Sequence, residues 1–532
     1  MGESGKKEST GINRGVNVFL LICTGIIFIC LVICHFAPAF DSDKVEDVIW
    51  ADEALRCGRL LNPDFTYGYA MPFGGNMFIL PFVNMIGIGQ TANSLGMLLF
   101  FGVLTVTCFV LIRALKNTKL FLSLVGVIVI LLSYCSGPVG GDYLNHILIY
   151  QLGIICITGI LGNLLIIENE KKKNKIINYI GIVFFSIWGG ANGVPTIVLS
   201  CVPVLSALCV IAFLETYNET RVSKRFFIEC VCIMAGTIVG YILFKLSIRN
   251  IVQSDYLNKM NSYNFRNVNE WVENIYRLPI DWLELFMIRS PQGVSAFSKD
   301  CLRVLISVFE SLVILVVPLR YLFRFTKIDK DEKILVLSAA FVWCAGLAQY
   351  VFFRGPEKRL LYVPCFMNFV LLAVWMIKSG FMMQKKNGMI IVVLSALTVF
   401  QIIDFSRGQQ WKIDETLVNR IKETGITYGF GGYWDANFNT VYTKGKIKIR
   451  GVAFNDGEIR PYILNSESNW YDNENLEKEF FVIFNREEMD KAESYPGSMI
   501  DEMYKERIEC GDRYILIFDS DVWDRGFRYV MD

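Results

Sequence analysis

Long apolar segments are the feature that most constrains the fold of this chain. Hydrophobic residues make up 53% of its 532 residues and charged residues 19%. The apolar residues gather into runs of roughly 17 to 25, and a helix of about 20 such residues crosses the hydrocarbon core of a bilayer. The sequence therefore predicts a mainly α-helical polytopic membrane protein.

We place about eleven spanning helices in the first 404 residues, by length and hydropathy. They lie near 16–38, 92–113, 119–136, 146–167, 176–190, 194–214, 226–247, 302–323, 334–353, 360–377 and 389–404. The stretch 76–91 contains Pro81 and is too short to span, so it is predicted to be re-entrant or interfacial.

The distribution of Lys and Arg predicts the orientation of the chain. Loops rich in basic residues, such as 171–175 and 320–333, alternate with turns that have none, such as 190–194. The positive-inside rule then places the N-terminus in the cytoplasm and residues 405–532 outside. The overall balance of 52 basic and 51 acidic residues argues against a nucleic-acid partner.

Two domains follow from this topology. Residues 1–404 form a transmembrane domain with outer loops at 41–75 and 248–300, and residues 405–532 form a small extracytoplasmic α/β domain. In this domain we predict helices at 414–424, 486–493 and 499–506 and strands at 426–430, 447–453, 480–484 and 513–518. The segment GFGGY (429–433) lacks the spacing of a nucleotide-binding loop and is predicted to be a turn into a helix.

An acidic group follows the first apolar segment and contains Asp41, Asp43, Glu46 and Asp47. A carboxylate at the membrane surface is partly desolvated, so it can act as a base or bind a cation. A structural alternative stays open, because Asp43 followed three residues later by Glu46 also fits a helix-capping box. The apolar spacing from Lys44 to Leu61 predicts an amphipathic helix along the membrane surface. Asp41 and Asp47 are each predicted to be either catalytic or ordinary solvated residues.

Other charged residues are candidates for binding substrate. Arg354, Lys358 and Arg359 lie in a short outer loop and suit a phosphate group, although basic residues at helix ends also reach lipid headgroups. Three further candidates each have a structural alternative: Asp142 as a second catalytic carboxylate or a turn residue, His146 as a substrate contact or a helix-end residue, and Glu310 inside a span as a cavity residue or an ion-pair partner.

Three stretches of the sequence resemble a known family. FDSDKVEDVIWADEALRCGRLLNPDF (40–65) resembles the first outer loop of integral-membrane glycosyltransferases of the GT-C superfamily, especially bacterial members, with matches at Ser42, Asp43, Gly58, Arg59 and Leu61. RGPEKRLLYVP (354–364) is similar to a stretch at the outer mouth of a late helix in that family. ITYGFGGYWDANFNTVYTKGKIKIRGV (426–452) is similar to a tail segment of its bacterial members. Many relatives have Glu after the first-loop Asp, whereas here Lys44 follows Asp43, which keeps Asp41 and Asp47 as alternatives.

The resemblance implies a hexosyl- or pentosyltransferase that acts on the outer face of the cell envelope. The donor would be a polyprenyl-phosphate sugar in membrane lipid, and the acceptor a hydroxyl of a glycan, glycolipid or protein. The first-loop Asp would act as a base or would hold a divalent cation, with Asp43 as its ligand. Two other classes stay open: a transporter or flippase of lipid-linked glycans, and a non-catalytic envelope protein. If the protein is an enzyme, we expect a first-loop Asp, Asp142 and Arg354 or Arg359 to converge on one cavity.

Overall fold

The computed structural model describes most of the chain as helices, with strands concentrated in the C-terminal part. The described residues are 42–116, 118–134, 147, 149–169, 175–217, 224–252, 264–287, 293–381, 415–455, 458–472, 476, 478–494 and 503–522. Asp41, Asp142, His146 and the spans predicted at 16–38 and 389–404 lie outside these residues. The predicted fold class, a mainly α-helical polytopic bundle with a small α/β region, is confirmed.

The helices, in chain order, are α1 (Glu46–Cys57), α2 (Gly75–Ile86), α3 (Gln90–Ala114), α4 (Leu120–Tyr134), α5 (Ile149–Asn169), α6 (Lys175–Ala191), α7 (Val194–Leu199), α8 (Cys201–Tyr217), α9 (Lys224–Ser247), α10 (Val268–Glu284), α11 (Lys299–Phe323), α12 (Lys330–Ala348), α13 (Tyr362–Lys378), α14 (Glu415–Thr424), α15 (Tyr433–Tyr442) and α16 (Arg486–Ser494). A π-helical segment, Gln349–Phe353, continues α12, and a 3-10 turn, Lys358–Leu361, precedes α13.

Within the described part of the chain, seven helical segments are long and apolar enough to cross a membrane. They are Gln90–Ala114, Tyr150–Asn169, Val194–Tyr217, Lys224–Ser247, Lys299–Phe323, Lys330–Phe353 and Lys358–Lys378. The predicted spans at 119–136 and 176–190 fold as the shorter apolar helices α4 and α6, of 15 and 17 residues. The protein is thus a multi-pass membrane protein, and the total of eleven spans stays a prediction.

The residues group into two compact units. The helical unit contains the described residues within 98–246 and 262–409, and the α/β unit contains those within 38–97, 247–261 and 410–532. The first outer loop therefore belongs to the same compact unit as the C-terminal residues. The predicted domain division at residue 404 follows membrane topology and stays a prediction.

In the helical unit, α5 and α13 are central helices. Their apolar spanning windows are 89% buried, whereas those of α9 and α11 are only 22% buried. α5 packs against α6, and α13 packs against α4, α11 and α12. The largely apolar surfaces of α9 and α11 would be costly in water, so they are suited to contact lipid.

The α/β unit contains eight strands: β1 (Phe65–Thr66), β2 (Tyr428–Gly431), β3 (Lys448–Asn455), β4 (Glu458–Pro461), β5 (Ser466–Glu467), β6 (Glu479–Asn485), β7 (Glu506–Cys510) and β8 (Arg513–Asp519). Six of them form one sheet in the order β4-β3-β2-β6-β8-β7. β2 is parallel to both of its neighbours, β3 and β6, and the remaining pairs are antiparallel. β1 and β5 form a separate antiparallel pair, which joins the first loop to the C-terminal residues.

The four predicted strands of the C-terminal region are present as β2, β3, β6 and β8, and the helices predicted at 414–424 and 486–493 are present as α14 and α16. The helix predicted at 499–506 is wrong at its end, because Glu506 begins β7. β7 pairs with β8 in a hairpin whose turn contains Gly511 at φ 64°, and this pairing outweighs the local helical pattern.

The helix predicted along Lys44–Leu61 is present as α1, but it does not lie exposed on a surface. α1 ends at Cys57, where Gly58 adopts a left-handed conformation with φ 65°. Val48 and Trp50 are fully buried, and α1 packs against α2 and α15. Protein thus covers most sides of α1, and its predicted position along the membrane surface stays a prediction.

Candidate active site

An acidic cluster lies at the start of α1, within the α/β unit. We define the acidic cluster as Asp43, Glu46 and Asp47 of the first loop together with Tyr433 and Asn465 of the C-terminal region. Asp43 is half-buried, whereas Glu46 and Asp47 are buried. The cluster thus joins residues that are separated by almost four hundred positions in sequence.

The sheet topology explains how Tyr433 reaches this position. β2 ends at Gly431, Gly432 is the N-cap of α15, and Tyr433 is the first helical residue. β2 has a parallel neighbour on each side, and the crevice beyond the carboxyl end of such a strand is a common binding position in α/β sheets. Residues 429–431 of the GFGGY segment thus complete β2, and Gly432 alone connects the strand to α15. The predicted turn into a helix is therefore present, but it is shorter than the segment.

Tyr433 is held by the first loop at both its backbone and its hydroxyl group. The Ser42 hydroxyl donates to the Tyr433 carbonyl oxygen at 2.6 Å. The Tyr433 hydroxyl lies 2.6 Å from Asp43 Oδ1 and 2.9 Å from Glu46 Oε1. A phenol has a single proton, so Tyr433 cannot donate fully to both carboxyl groups at once.

Asn465 fixes the side chain of Glu46 from the other direction. Its Oδ1 accepts from Trp50 Nε1 at 3.1 Å and from the Gly68 backbone N–H at 3.4 Å, and these two donors determine the orientation of its amide group. Asn465 Nδ2 then donates to Glu46 Oε1. Asn465 adopts a left-handed backbone conformation with φ 56°, which Asn tolerates better than most residues.

Burial changes the ionisation of the cluster. Desolvation, reinforced by the nearby charge of Asp43, raises the pKa of Glu46 from 4.5 to about 8. Desolvation and the adjacent carboxyl groups of Glu46 and Asp43 also raise the pKa of Tyr433. Tyr433 is therefore a proton donor at neutral pH, and a protonated Glu46 accounts for its second short contact.

The alternative that Asp43 caps α1 is wrong. The N-cap of α1 is Val45, and no side chain accepts a hydrogen bond from the first turn at that position. The first turn begins through backbone bonds instead, such as the Glu46 N–H to the Asp43 carbonyl oxygen at 3.4 Å. The Asp43 side chain is bound by Tyr433, so it belongs to the cluster rather than to the helix end.

Asp47 lies against the start of α2. An added Cβ at Gly75, the first residue of α2, would be 2.2 Å from Asp47 Oδ2. Only glycine permits this approach, and a carboxylate at a helix N-terminus is favoured by the helix dipole. With 1% of its surface exposed, Asp47 has an environment suited to holding α1 on α2.

The predicted phosphate-binding residues lie in the loop of the helical unit between the π-helical segment and α13. Arg354 hydrogen-bonds to Tyr150, and Lys358 forms an ion pair with Glu284 of α10. The side chain of Arg266 packs over Gly355, which adopts φ 92°. Basic groups are thus concentrated at this loop, and their predicted convergence with Asp43 stays a prediction.

Glu310 lies in α11, within a membrane-length helix, and is half-buried. Among the residues that the structure describes, no hydrogen bond or ion pair is present at its carboxyl group. The structure describes neither Asp41 nor Asp142 nor His146, so their predicted roles also stay predictions.

The acidic cluster is arranged for hydrogen bonding rather than as a metal cage. The Tyr433 hydroxyl lies within hydrogen-bond distance of both Asp43 and Glu46. Another group of carboxylates, Asp329, Asp331 and Glu332, lies close enough to hold an ion. Asp329 and Glu332 form the capping box of α12, however, and Lys378 lies 3.5 Å from Asp329, so this group has a structural explanation. A divalent cation at Asp43 stays a prediction.

Sequence reasoning did not assign roles to Tyr433 and Asn465. Two signals pointed to the region of Tyr433: the glycine-rich turn after a strand and the resemblance of 426–452 to a family tail segment. Neither of them predicted what the Tyr433 side chain would bind. Asn465 follows an irregular stretch between β4 and β5, and its role depends on long-range contacts with Trp50 and Glu46.

No family model and no curated protein matches the chain. In a comparison of structures, the chain is similar to ArnT from Cupriavidus metallidurans. The crystal structure of that protein bound to undecaprenyl phosphate matches with 10% sequence identity and a TM-score of 0.47, covering 94% of this chain and 98% of the other. Its structure in the apo state matches with the same identity and TM-score, covering 95% and 98% of the two chains.

Proposed function

We propose that the protein is an integral-membrane glycosyltransferase that moves a sugar from a polyprenyl-phosphate carrier to a hydroxyl acceptor in the cell envelope. The observation that carries the proposal is the half-buried carboxyl group of Asp43, held by Tyr433 beside the buried Glu46. The resemblance of the first loop to GT-C enzymes, centred on the same Asp43, supports it independently.

In the proposed reaction, the acceptor hydroxyl oxygen attacks the anomeric carbon of the donor sugar. The bond from that carbon to the phosphate oxygen breaks, and polyprenyl phosphate leaves with the bonding electrons. Asp43 accepts the proton of the attacking hydroxyl, and inversion at the anomeric carbon follows from this single displacement.

We assign the base to Asp43 rather than to Asp47. Asp47 is buried against Gly75, whereas Asp43 is partly accessible. Tyr433 donates to one oxygen of Asp43, so the carboxyl group that would act as the base is held in a fixed position.

We assign stabilisation of the leaving phosphate to the basic loop that contains Arg354, Lys358 and Arg359. A guanidinium group can bind two phosphate oxygens at once and stays charged at all relevant pH values. Lys358 offers only a point charge, whereas a guanidinium group offers paired donors, so the arginines are the stronger candidates.

The reaction class can be tested by mass spectrometry of envelope glycans and prenyl-linked sugars from a deletion strain. The proposal predicts that one prenyl-linked sugar accumulates and that one envelope component lacks a single sugar residue. The gene for the natural protein should reverse both changes, as should Asp64→Asn, which removes an exposed carboxylate from the same loop. Unchanged lipid-linked sugars and unchanged glycans would contradict the proposed reaction.

A further inference from the structure

We infer that Tyr433 is a positioning residue for Asp43, supplied to the acidic cluster by the C-terminal region through the turn between β2 and α15. This inference rests on the proposed function and adds a specific role for the C-terminal region. That region would complete the catalytic group rather than only bind an acceptor.

The Tyr433 hydroxyl lies close to two carboxyl groups of the acidic cluster. It is 2.6 Å from Asp43 Oδ1 and 2.9 Å from Glu46 Oε1. The hydroxyl lies nearer to Asp43 than to Glu46, so we assign the single phenol proton to the bond with Asp43. A base held in one rotamer loses less entropy when it reaches the reacting hydroxyl.

Tyr433 is itself held in place by its neighbours. Ser42, the residue before Asp43, donates to the Tyr433 carbonyl oxygen, so adjacent residues of the first loop bind two parts of the same tyrosine. The Tyr433 ring also lies 5.1 Å from the ring of Tyr462 and 5.1 Å from that of Trp434. These contacts limit the movement of the hydroxyl group.

Glu46 is placed to be protonated when Tyr433 binds Asp43. Asn465 Nδ2 donates to the same Glu46 oxygen that contacts Tyr433, and the Asn465 amide is oriented by Trp50 and Gly68. Among the described residues, the titratable groups that act on the pKa of Glu46 are Asp43, Asp47 and Tyr433. A neutral Glu46 avoids a third negative charge beside Asp43 and can donate to the Tyr433 oxygen, which leaves the tyrosine proton for Asp43.

The test replaces Tyr433 with Phe, which keeps the ring and removes the hydroxyl. The control is Tyr428→Phe, which removes the hydroxyl of another buried tyrosine, on the adjoining strand β2. The Tyr428 hydroxyl donates to the Trp470 carbonyl oxygen at 2.5 Å, outside the acidic cluster. Each purified full-length protein is added to membranes of the deletion strain, and consumption of the accumulated prenyl-linked sugar is followed at increasing amounts of membrane.

We expect Tyr433→Phe to lower the maximal rate about tenfold to a hundredfold, as for the loss of a hydrogen bond to a charged group. The amount of membrane that gives half the maximal rate should change less than twofold, because the inferred role of Tyr433 is to position Asp43 and not to bind donor or acceptor. Tyr428→Phe should keep the natural rate. If the role of Tyr433 were purely structural, Tyr433→Phe would instead lose rate in proportion to its loss of thermal stability.

The outcomes separate this inference from the proposed function. If Asp43→Asn is inactive while Tyr433→Phe keeps more than half of the maximal rate, the positioning role is wrong and the reaction stands. If Asp43→Asn is fully active, the proposed function itself fails. Should Tyr433→Phe not fold, Ser42→Ala removes only the bond to the tyrosine backbone, and a rate equal to that of the natural protein would overturn the inference.

Discussion

At the scale of single residues, the acidic cluster shows how burial changes chemistry. Glu46 has 6% of its surface exposed and two acidic neighbours, and desolvation raises its pKa from 4.5 to about 8. The unfolded chain has no such environment. Protonation of Glu46 is therefore linked to folding.

This linkage predicts a pH dependence of stability. The folded pKa of Glu46 is above the unfolded value, so its contribution to stability is fully present below pH 4.5 and is lost as the pH rises through about 8. The free energy of unfolding should fall by up to about 1.4 kcal/mol per pH unit in this range. Glu46→Gln should reduce the fall in thermal midpoint between pH 6 and pH 9, measured in detergent.

The control for this experiment is Glu415→Gln, which changes an exposed carboxylate at the start of α14. It should keep the pH dependence of the natural protein. An identical pH dependence in Glu46→Gln would show that Glu46 is not the group responsible.

A second prediction concerns the contact between Asp47 and Gly75. Gly75→Ala places a methyl group 2.2 Å from Asp47 Oδ2, so it should destabilise the protein by about 1–3 kcal/mol, as overpacked sites do. Gly102→Ala is the control, since no atom lies within 4 Å of its added methyl group. Equal thermal midpoints for the two variants would show that α1 and α2 do not pack as described.

At the scale of elements, the surface of α10 has three parts with different surroundings. One part packs on the π-helical segment, where Asn274 donates to the Val351 carbonyl oxygen at 3.0 Å and Tyr350 donates to Asp281 at 2.5 Å. A second part carries Glu273 and Arg277. The third is an exposed apolar stripe that contains Val272, Ile275, Tyr276 and Ile280.

We predict that this apolar stripe of α10 contacts lipid. A spin label on cysteine at Ile275 should be accessible to oxygen and protected from a water-soluble nickel chelate, because the first partitions into bilayers and the second does not. A label at Glu273 should show the opposite pattern. Equal access of the nickel chelate to both positions would contradict contact with lipid.

The elements also show what could be predicted from sequence. Hydropathy located the membrane-length helices, and short apolar runs located β2, β3, β6 and β8, because these signals are local. The burial of α1 could not be predicted, since its second partner is α15, far along the chain. Only Glu506, the first residue of β7, lay within the predicted helix. The rest of β7 was not predicted, because its conformation depends on its hairpin partner β8.

At the scale of the whole molecule, the α/β unit combines two distant parts of the chain. The pairing of β1 with β5 and the bond between Trp50 and Asn465 join the first loop to the C-terminal region. The sequence alone placed Asp43 in a candidate site, but Tyr433 and Asn465 could be identified only from this pairing. The proposed topology requires both parts to be on the outer side of the membrane.

The orientation can be tested by labelling intact cells with a membrane-impermeant maleimide. Cysteine introduced at Lys422, an exposed residue of α14, should be labelled above the background of the native cysteines. Cysteine at Lys333, in a segment predicted to be cytoplasmic, should be labelled only after the cells are opened. Labelling of the second position alone in intact cells would reverse the proposed orientation.

The most direct test of the account is the rate of sugar transfer by purified Asp43→Asn, measured as loss of the prenyl-linked sugar in membranes of the deletion strain. Asparagine keeps the size of the side chain but cannot accept the acceptor proton. The account predicts a loss of at least about a hundredfold, in line with removal of a general base, with the thermal midpoint little changed. Transfer at the rate of the natural protein would contradict it.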